Sequence, residues 1–278
     1  MLAANVCAAN FLHEHEHVVL YRIHQGPTPE KLIALREFMK EFGLQLTGED
    51  EPQAADYSKL LRRTKGRPDA GLLQTVMLRS LRQAKYEPEK IGHFGLGYDA
   101  YTHFTSPIRR YPDLLVHRAI KAVLQGKQYK PAQKWAELGI HCSMTERRAD
   151  DATRDVEAWL KCFYMRDHLG SVFTGTVSSV TSFGMFVSLD DLYVEGLIHI
   201  SELGKDYFQF DPTKHQLLGE RTGQRYRLGD RVQVRVARVD MESTKIDFAL
   251  HEEEIATNEK SAEKSPKKSA KKIAKGKK

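Results

Sequence analysis

Two adjacent arginines stand between two prolines in the stretch HFTSPIRRYPDLLVHR, residues 103–118. Arg109 and Arg110 each carry a planar guanidinium that donates paired hydrogen bonds, which suits a phosphate better than the compact ammonium of lysine does. The prolines fix part of the backbone on both sides. The pattern predicts a rigid segment that presents two cations to an anion. The open alternative is that these arginines pair with nearby acids on a surface turn.

The same segment carries signals for the start of a helix. Residues 105–107, Thr-Ser-Pro, offer an N-cap followed by proline at the first helical position. A helix that begins there places both arginines in its first turn, where unpaired N–H groups and the helix dipole also attract anions. Pro112 lies a turn later, so we expect the helix to kink there or to restart at Asp113. Tyr111 is a candidate to stack on a nucleic-acid base or simply to pack.

Two other groups of residues match patterns that bind metal ions. The run HEHEH, residues 13–17, satisfies the H-E-x-x-H pattern of zinc proteases. The VVLYRI that follows is typical of a strand, so we interpret the run as polar residues at a helix exit. Asp150, Asp151 and Asp155 alternate with arginines, which favours a salt-bridged helix face over a Mg²⁺ site. The sequence therefore predicts no metal site.

The residue pattern divides the chain into three segments. Residues 1–168 show apolar residues at helical spacing, and 171–250 show short alternating β runs between Gly, Asp and Ser turns, typical of a small antiparallel barrel. Residues 251–278 have almost no large apolar side chains and are expected to be disordered. In the first segment, the apolar spacing predicts a helix with one face formed by Leu32, Leu35, Phe38, Met39 and Phe42. The run from WAELGIHCSMTERR onward predicts one long helix or a pair.

Charge and cysteine usage limit the possible environments. Nine lysines and two glutamates give residues 259–278 a net charge of +7, so the preceding 258 residues carry −1 of the total +6. No apolar run approaches the ~20 residues of a membrane span, and the start lacks the features of a secretory signal. Cys7, Cys142 and Cys162 have no CxxC spacing. These features predict reduced thiols, a cytoplasmic location and no membrane partner.

The arginine stretch resembles a family signature. HFGLGYDAYTHFTSPIRRYPDLLVHR is similar to the segment near the end of the catalytic domain in the ribonuclease R and ribonuclease II family. AANVCAANFL, YRIHQGPTPEKL and ERRADDATRDVEAWLKC resemble other parts of the same half of that domain. The resemblance implies an α+β fold: a mainly helical C-terminal part of an exoribonuclease catalytic domain at 1–168, a five-stranded OB-fold barrel at 169–250, and a disordered lysine-rich tail at 251–278.

The resemblance also implies an activity. Members are processive, hydrolytic 3′→5′ exoribonucleases that take single-stranded and structured RNA to nucleoside 5′-monophosphates and use Mg²⁺. By position, Arg109 matches the arginine at the scissile phosphate, and Arg110 lies in the same motif. The family holds Mg²⁺ with aspartates spaced D-x5-D-x-D-D, a pattern that this sequence does not contain. We therefore hypothesise that the chain alone is inactive. The alternative is a free-standing, non-catalytic RNA-binding protein.

The β segment resembles the S-one type of OB-fold, which is named after a ribosomal protein. Gly184 allows a tight strand bend that leaves Phe183 and Phe186 as candidates to stack on RNA bases. By position within that family, His199, Asp240 and Lys245 join them on the RNA-facing surface. The expected partner is single-stranded RNA. Ribosomes or other RNA-decay proteins are further candidate partners, through the basic tail.

Overall fold

The computed structural model of the chain describes residues 1–67, 69–212 and 214–251, which form a helical part followed by a β part. The helical part contains α1 (Leu2–Glu14), β1 (Tyr21–Ile23), α2 (Pro29–Glu41), α3 (Ala54–Thr64), α4 (Ala70–Ser80), β2 (Lys85–Glu87), α5 (Tyr111–Leu124) and α6 (Trp135–Arg166). The β part contains β3 (Val172–Thr181), β4 (Gly184–Leu189), β5 (Glu195–His199), β6 (Phe208–Asp211), β7 (Gln216–Gly219), β8 (Arg225–Arg227), β9 (Arg231–Asp240) and β10 (Lys245–Leu250). The predicted α+β class is confirmed. Of the predicted tail, residues 251–278, all but His251 lie outside the described residues.

Helix α2 shows how the apolar pattern sets the local structure. Thr28 caps its first turn by accepting a hydrogen bond from the Lys31 N–H, and a proline occupies the first helical position. Of the five residues expected on its inner face, Leu32, Leu35, Phe38 and Met39 are buried, whereas Phe42 follows the last helical residue and is half-buried. Gly43 follows the helix with φ +68, a left-handed conformation that glycine adopts at little cost. The predicted helix is confirmed.

Helix α6 is one continuous helix of 32 residues that joins the two parts of the structure. Near its start it lies so close to β2 that a Cβ on Gly139 would be 2.6 Å from the Tyr86 carbonyl oxygen, and Ser143 Oγ accepts a hydrogen bond from the Tyr86 N–H at 2.9 Å. Near its end Cys162 and Met165 are buried in the same core as the barrel. Between these anchors residues 147–157 are exposed without interruption.

The β part is a closed five-stranded barrel with the order β10-β5-β4-β3-β9. Four neighbouring pairs are antiparallel, whereas β10 and β5 run parallel, so the all-antiparallel prediction is wrong for that pair. Gly184 begins β4 with φ +152, and a Cβ there would lie 2.2 Å from the Ile198 carbonyl oxygen. The close approach of β4 and β5 therefore requires glycine at this position.

A second, three-stranded sheet (β6-β7-β8) interrupts the barrel between β5 and β9. The sequence pattern does not predict it as a separate sheet. Its strands are only three or four residues long, which is too short for an alternating pattern to stand out from the neighbouring turns. It extends the β part beyond the five expected strands without breaking the closure of the barrel.

The predicted helix start at residues 105–107 is wrong. Residues 107–109 form a turn, in which the Arg110 N–H donates to the Ser106 carbonyl at 3.0 Å, and α5 begins at Tyr111. The physical reason is Pro112, which has no N–H to donate and is tolerated within the first turn of a helix but not inside it. The helix therefore starts where Pro112 occupies its first turn.

No helix in the described ranges combines the length and apolar character that crossing a membrane requires. All three cysteines are free thiols; Cys7 is exposed, and Cys142 and Cys162 are buried. Burial raises the pKa of both buried thiols, which keeps them protonated and unreactive.

Candidate functional site

The loop that carries the two arginines is held by one buried carboxylate. Asp113 is fully buried in the first turn of α5, and its Oδ1 accepts hydrogen bonds from the Ser106 N–H and from Arg110 Nη2, each at 2.7 Å. The same oxygen therefore ties the loop to the helix at two points. Arg110 Nε and Asp113 Oδ2 are buried and have no hydrogen-bond partner within the described residues.

The two arginines consequently have different environments. Arg110 is mostly buried and paired, which makes it part of the support of the loop. Arg109 is exposed and, in the part of the chain that the structure describes, its side chain has neither an ion pair nor a hydrogen bond. Tyr111 is half-exposed at the start of α5. The sequence predicted two cations that face an anion together. In the structure the Arg109 guanidinium is free to do so, whereas the Arg110 guanidinium supports the loop.

A row of polar contacts leads from His103 to helix α6. Tyr86 Oη hydrogen-bonds to His103 Nδ1 at 2.8 Å, and the Arg22 guanidinium lies 4.7 Å from the centre of the Tyr86 ring. Arg22 Nη1 in turn donates to Glu146 Oε2 at 2.6 Å. Burial raises the pKa of Tyr86 to about 12. Burial, followed by the nearby charges of Arg110 and Arg22, lowers the pKa of His103 to about 4, so His103 is neutral near pH 7.

The low pKa of His103 makes the stability of the fold depend on pH. The unfolded chain binds this proton near the ordinary pKa of 6.5, whereas the folded chain binds it only near 4. Because the unfolded state holds more protons in that interval, we expect the free energy of unfolding to be highest above pH 6.5 and to fall toward pH 4.

The measurement is the urea midpoint at pH 6.5 and at pH 4 for the wild type and His103→Gln. The difference between the two midpoints should be smaller for His103→Gln. His13→Gln, at an exposed position, serves as the control and should keep the wild-type difference. If His103→Gln kept the wild-type difference between its midpoints at pH 6.5 and pH 4, the pH dependence could not be attributed to His103.

The metal-binding patterns do not come together in the structure. His17 lies beyond the end of α1, and its Nε2 accepts a hydrogen bond from the Tyr129 N–H at 2.9 Å, so His13 and His17 do not share one helical face. Asp151 pairs with Arg154 on the exposed middle of α6. Across the described ranges, no three His, Cys, Asp or Glu side chains are grouped as metal ligands. The residues present in these ranges do not fit a Mg²⁺ ion.

On the barrel, three predicted residues lie at one end of β4 and β5. Phe183 and Phe186 meet edge to face with ring centroids 6.1 Å apart, and His199 is the strand partner of Gly184. Phe183 is about half-exposed, and its carbonyl oxygen accepts a hydrogen bond from the Ile200 N–H, which closes the end of the strand pair. The arrangement offers aromatic faces on which an unstacked base can lie.

Asp240 and Lys245 form a separate pair across the turn that joins β9 and β10. The Asp240 carboxylate accepts hydrogen bonds from the backbone N–H groups of Glu242 and Ser243, each at 3.0 Å, and contacts Arg238 Nη2 at 3.1 Å. Hydrogen bonds from Ser243 are the main reason that its pKa is lowered. Asp240 thus shapes the turn, while Lys245 is exposed. The RNA contacts proposed for both residues stay predictions.

The residues that support the arginine loop are not predicted from the sequence. The sequence indicates Asp113 only as a point where a helix restarts, and it does not single out Tyr86, Arg22 or Glu146. One local signal was present, because Asp113 follows Arg110 at the spacing of three that permits an ion pair in a first helical turn.

Comparisons with known proteins identify both parts of the chain. Residues 1–126 match the RNB domain family, and residues 166–251 match the S1 RNA binding domain family. Ribonuclease R of Escherichia coli (strain K12) is 51% identical over 262 residues, which cover 90% of this chain and 32% of that protein. Ribonuclease R of Vibrio cholerae is 46% identical over 265 residues, covering 91% of this chain and 32% of that protein.

Solved structures agree with the sequence matches. The apo form of Mycoplasma genitalium RNase R has a TM-score of 0.84 at 28% identity, over 90% of this chain and 40% of that one. The same enzyme in complex with ribose methylated single-stranded RNA has a TM-score of 0.83, also at 28% identity and with the same coverage of both chains. The chain spans about a third of the length of the curated relatives that it matches.

Proposed function

The chain belongs to the ribonuclease R family, and from this premise we propose that it is the RNA-holding C-terminal portion of a hydrolytic 3′→5′ exoribonuclease. The proposed substrates are single-stranded and structured RNA, and the products are nucleoside 5′-monophosphates. The observation that carries the proposal is the exposed, unpaired Arg109 on a loop clamped by a buried carboxylate, in a segment that matches the RNB domain. The RNA bound to the Mycoplasma genitalium enzyme, whose fold this chain shares, supports the choice of ligand.

In this proposal the two arginines have distinct roles. Arg109 contacts the RNA phosphate at the scissile bond, where a guanidinium can donate two parallel hydrogen bonds. Arg110 does not reach the phosphate but, through its ion pair with Asp113, holds the loop in one conformation. A positioned cation lowers the cost of placing the phosphate and neutralises part of its charge.

The barrel provides the second RNA contact. Phe183 and Phe186 stack on bases, with His199 at the same end of the strands and Lys245 near the phosphates. The segment 259–278 adds a net charge of +7, which attracts RNA in a salt-dependent way and is also the candidate site for ribosomes or other RNA-decay proteins. We place this activity in the cytoplasm.

Hydrolysis by Mg²⁺ needs carboxylates that hold the ion, and arginines cannot replace them. We expect the full chain to bind 5′-labelled single-stranded RNA in filter binding but not to shorten it in a time course with Mg²⁺. Ribonuclease R of Escherichia coli is the positive control for shortening. Binding without shortening agrees with the proposal. Stepwise shortening from the 3′ end would contradict the lack of activity, and absence of binding would contradict the RNA-holding role.

Substitution of Arg109 tests the phosphate contact. For single-stranded RNA, each neutralised phosphate contributes about 0.7 to the slope of log affinity against log salt. Arg109→Gln is therefore expected to weaken RNA binding at low salt and to reduce that slope by about 0.7. The matched control is Arg154→Gln, an exposed arginine on α6 that pairs with Asp151. Equal slopes for Arg109→Gln and the wild type would remove Arg109 from the RNA contact.

A further inference from the structure

The end of α5 and the segment that leads from it to α6 form a basic surface. Residues 114–136 contain five cationic side chains and no Asp or Glu, so they carry a charge of +5, whereas the rest of residues 1–258 sums to −6. All five side chains are exposed, and none forms an ion pair within the described ranges. This surface, here called the α5 ridge, consists of Arg118, Lys121, Lys127, Lys130 and Lys134.

Hydrogen bonds to the neighbouring helices hold the backbone of the α5 ridge in place. The Tyr129 N–H donates to His17 Nε2 at 2.9 Å, and Arg118 Nη1 donates to Tyr129 Oη at 3.3 Å. The Lys127 N–H donates to the Ala122 carbonyl at 2.9 Å, which closes the C-terminal end of α5. The lysines therefore extend from an ordered backbone, and a ligand that binds them has only their side chains to immobilise.

Stabilisation of the fold does not account for all of these charges. Lys121 lies in the last turn of α5, where the helix dipole favours a cation. Lys134 is the N-cap residue of α6, where the dipole disfavours one. The acids on the adjoining elements, Glu14 and Glu16 before His17 and Glu137 in the first turn of α6, form no ion pair with the ridge in the described structure. An uncompensated group of cations is suited to bind an anion from outside the fold.

Aromatic side chains accompany the cations of the α5 ridge. Tyr111 and Arg118 are seven residues apart, so they lie on one side of α5, about 10 Å from each other along its axis. The Arg118 guanidinium interacts with the phenolic group of Tyr129 and, more weakly, with that of Tyr111. Cations that are spread over two helical turns and a loop match a chain of phosphates, not a single phosphate group. The rings between them match the flat bases of a single RNA strand.

The α5 ridge lies beyond the arginine loop as seen from the barrel. Helix α6 begins at the ridge after Lys134, passes the arginine loop at Glu146 and enters the barrel core at Cys162. The last two positions are about 18 Å and 42 Å from the first along the helix axis. RNA that runs from the barrel to Arg109 does not pass over the ridge, so the ridge contacts a different segment of RNA.

We propose that the α5 ridge is an additional RNA-binding surface, which holds the phosphates of a segment outside the path between the barrel and Arg109. The choice of RNA as the ligand rests on the proposed function, whereas the presence of an anion site rests on the unpaired cations. The test compares the binding of long single-stranded RNA by the full chain and by the triple variant Lys127→Gln, Lys130→Gln, Lys134→Gln. The slope of log affinity against log salt should fall by about 2, since each phosphate contact contributes about 0.7.

A control variant removes the same charge from other places on the helical part. Lys40→Gln, Lys65→Gln and Lys90→Gln replace three exposed lysines that lie outside the ridge and have no ion pair in the described structure. Their combined effect on the slope should be smaller than that of one phosphate contact, about 0.7. Both variants should unfold at the wild-type temperature, because all six side chains are exposed. Equal reductions of the slope in the two variants would overturn the proposal, since only net charge would then matter.

A second measurement locates the contact without any substitution. Single-stranded RNA that carries thiouridine is cross-linked to the full chain by ultraviolet light, and the modified peptides are identified by mass spectrometry. Adducts are expected at residues 127–134 as well as at the phenylalanines of the barrel. Adducts confined to the barrel would overturn the proposal. If polyglutamate removed the adducts at 127–134 and left those on the barrel, the ridge would be assigned to an acidic protein, not to RNA.

Failure of the ridge and failure of the proposed function give different results. A lower slope in the triple variant, with wild-type affinity in Arg109→Gln and Phe183→Ala, would support the ridge and contradict the contacts of the proposed function. A wild-type slope in the triple variant, with weaker binding in Arg109→Gln and Phe183→Ala, would overturn the ridge and leave the proposed function in place.

Discussion

Asp113→Ala is expected to lower the free energy of unfolding by about 3–5 kcal/mol, because it removes one partner of a buried ion pair and leaves the other uncompensated. The fully buried carboxylate holds both the Arg110 guanidinium and the Ser106 N–H through one oxygen. Without it, the guanidinium and the N–H group lose their acceptor inside the protein. Urea unfolding followed by circular dichroism measures this change.

The chain contains a matched control for this experiment. Asp151 and Arg154 form an ion pair with the same spacing of three residues and a contact of 2.6 Å, but both side chains are more than 60% exposed. Asp151→Ala is therefore expected to cost at most about 1 kcal/mol. If the two alanine variants had equal stability, burial would not be what makes the Asp113 pair important. Asp113→Ala should also weaken RNA binding, because the loop that presents Arg109 loses its anchor.

Alanine substitutions at Phe183 and Phe186 are expected to produce the largest losses of RNA affinity. Stacking of one base on an aromatic ring contributes about 1–3 kcal/mol, so each substitution should weaken binding by roughly five-fold to more than a hundred-fold. The effect should be similar for RNAs of different sequence, because every base offers a flat face. Filter binding with homopolymeric and mixed single-stranded RNAs measures it.

Tyr193→Ala provides the comparison for the barrel. Tyr193 is 78% exposed and follows β4 on the same barrel, but no ring contact joins it to Phe183 in the described structure. Its substitution should leave RNA affinity unchanged. If Phe183→Ala and Tyr193→Ala weakened binding equally, the aromatic pair would not be a specific RNA contact, and general exposure of aromatic rings would explain the data instead.

The sequence predicted those elements whose apolar residues repeat over several turns or along several strands. The inner face of α2 and the five strands of the barrel were found in this way, because periodic burial leaves a periodic pattern. The three-stranded sheet was missed since its strands are too short to show one. The parallel β5–β10 pair could not be predicted either, because strand order in a closed barrel depends on contacts between distant residues.

The arginine site was located by sequence, but its support was not. Two arginines beside two prolines are visible in a short window, and the resemblance to a family gave them a role. The rigid turn, however, depends on Pro112 and Asp113 acting together: one fixes where α5 begins, and the other bonds back to Ser106. Neither residue alone indicates that arrangement. For Asp240, the resemblance predicted an RNA contact, which stays a prediction, but it gave no sign that this carboxylate accepts hydrogen bonds from its own turn.

The continuity of α6 has a consequence for substrate length. Glu146, beside the arginine loop, and Cys162, in the barrel core, are separated by 16 residues of unbroken helix, or roughly 24 Å along its axis. A rigid helix of fixed length between the two proposed RNA contacts sets a minimum length for an RNA that occupies both. An oligonucleotide too short to extend across it can occupy one contact but not both, so affinity should rise in a step, and not gradually, once the RNA is long enough to reach from one end to the other.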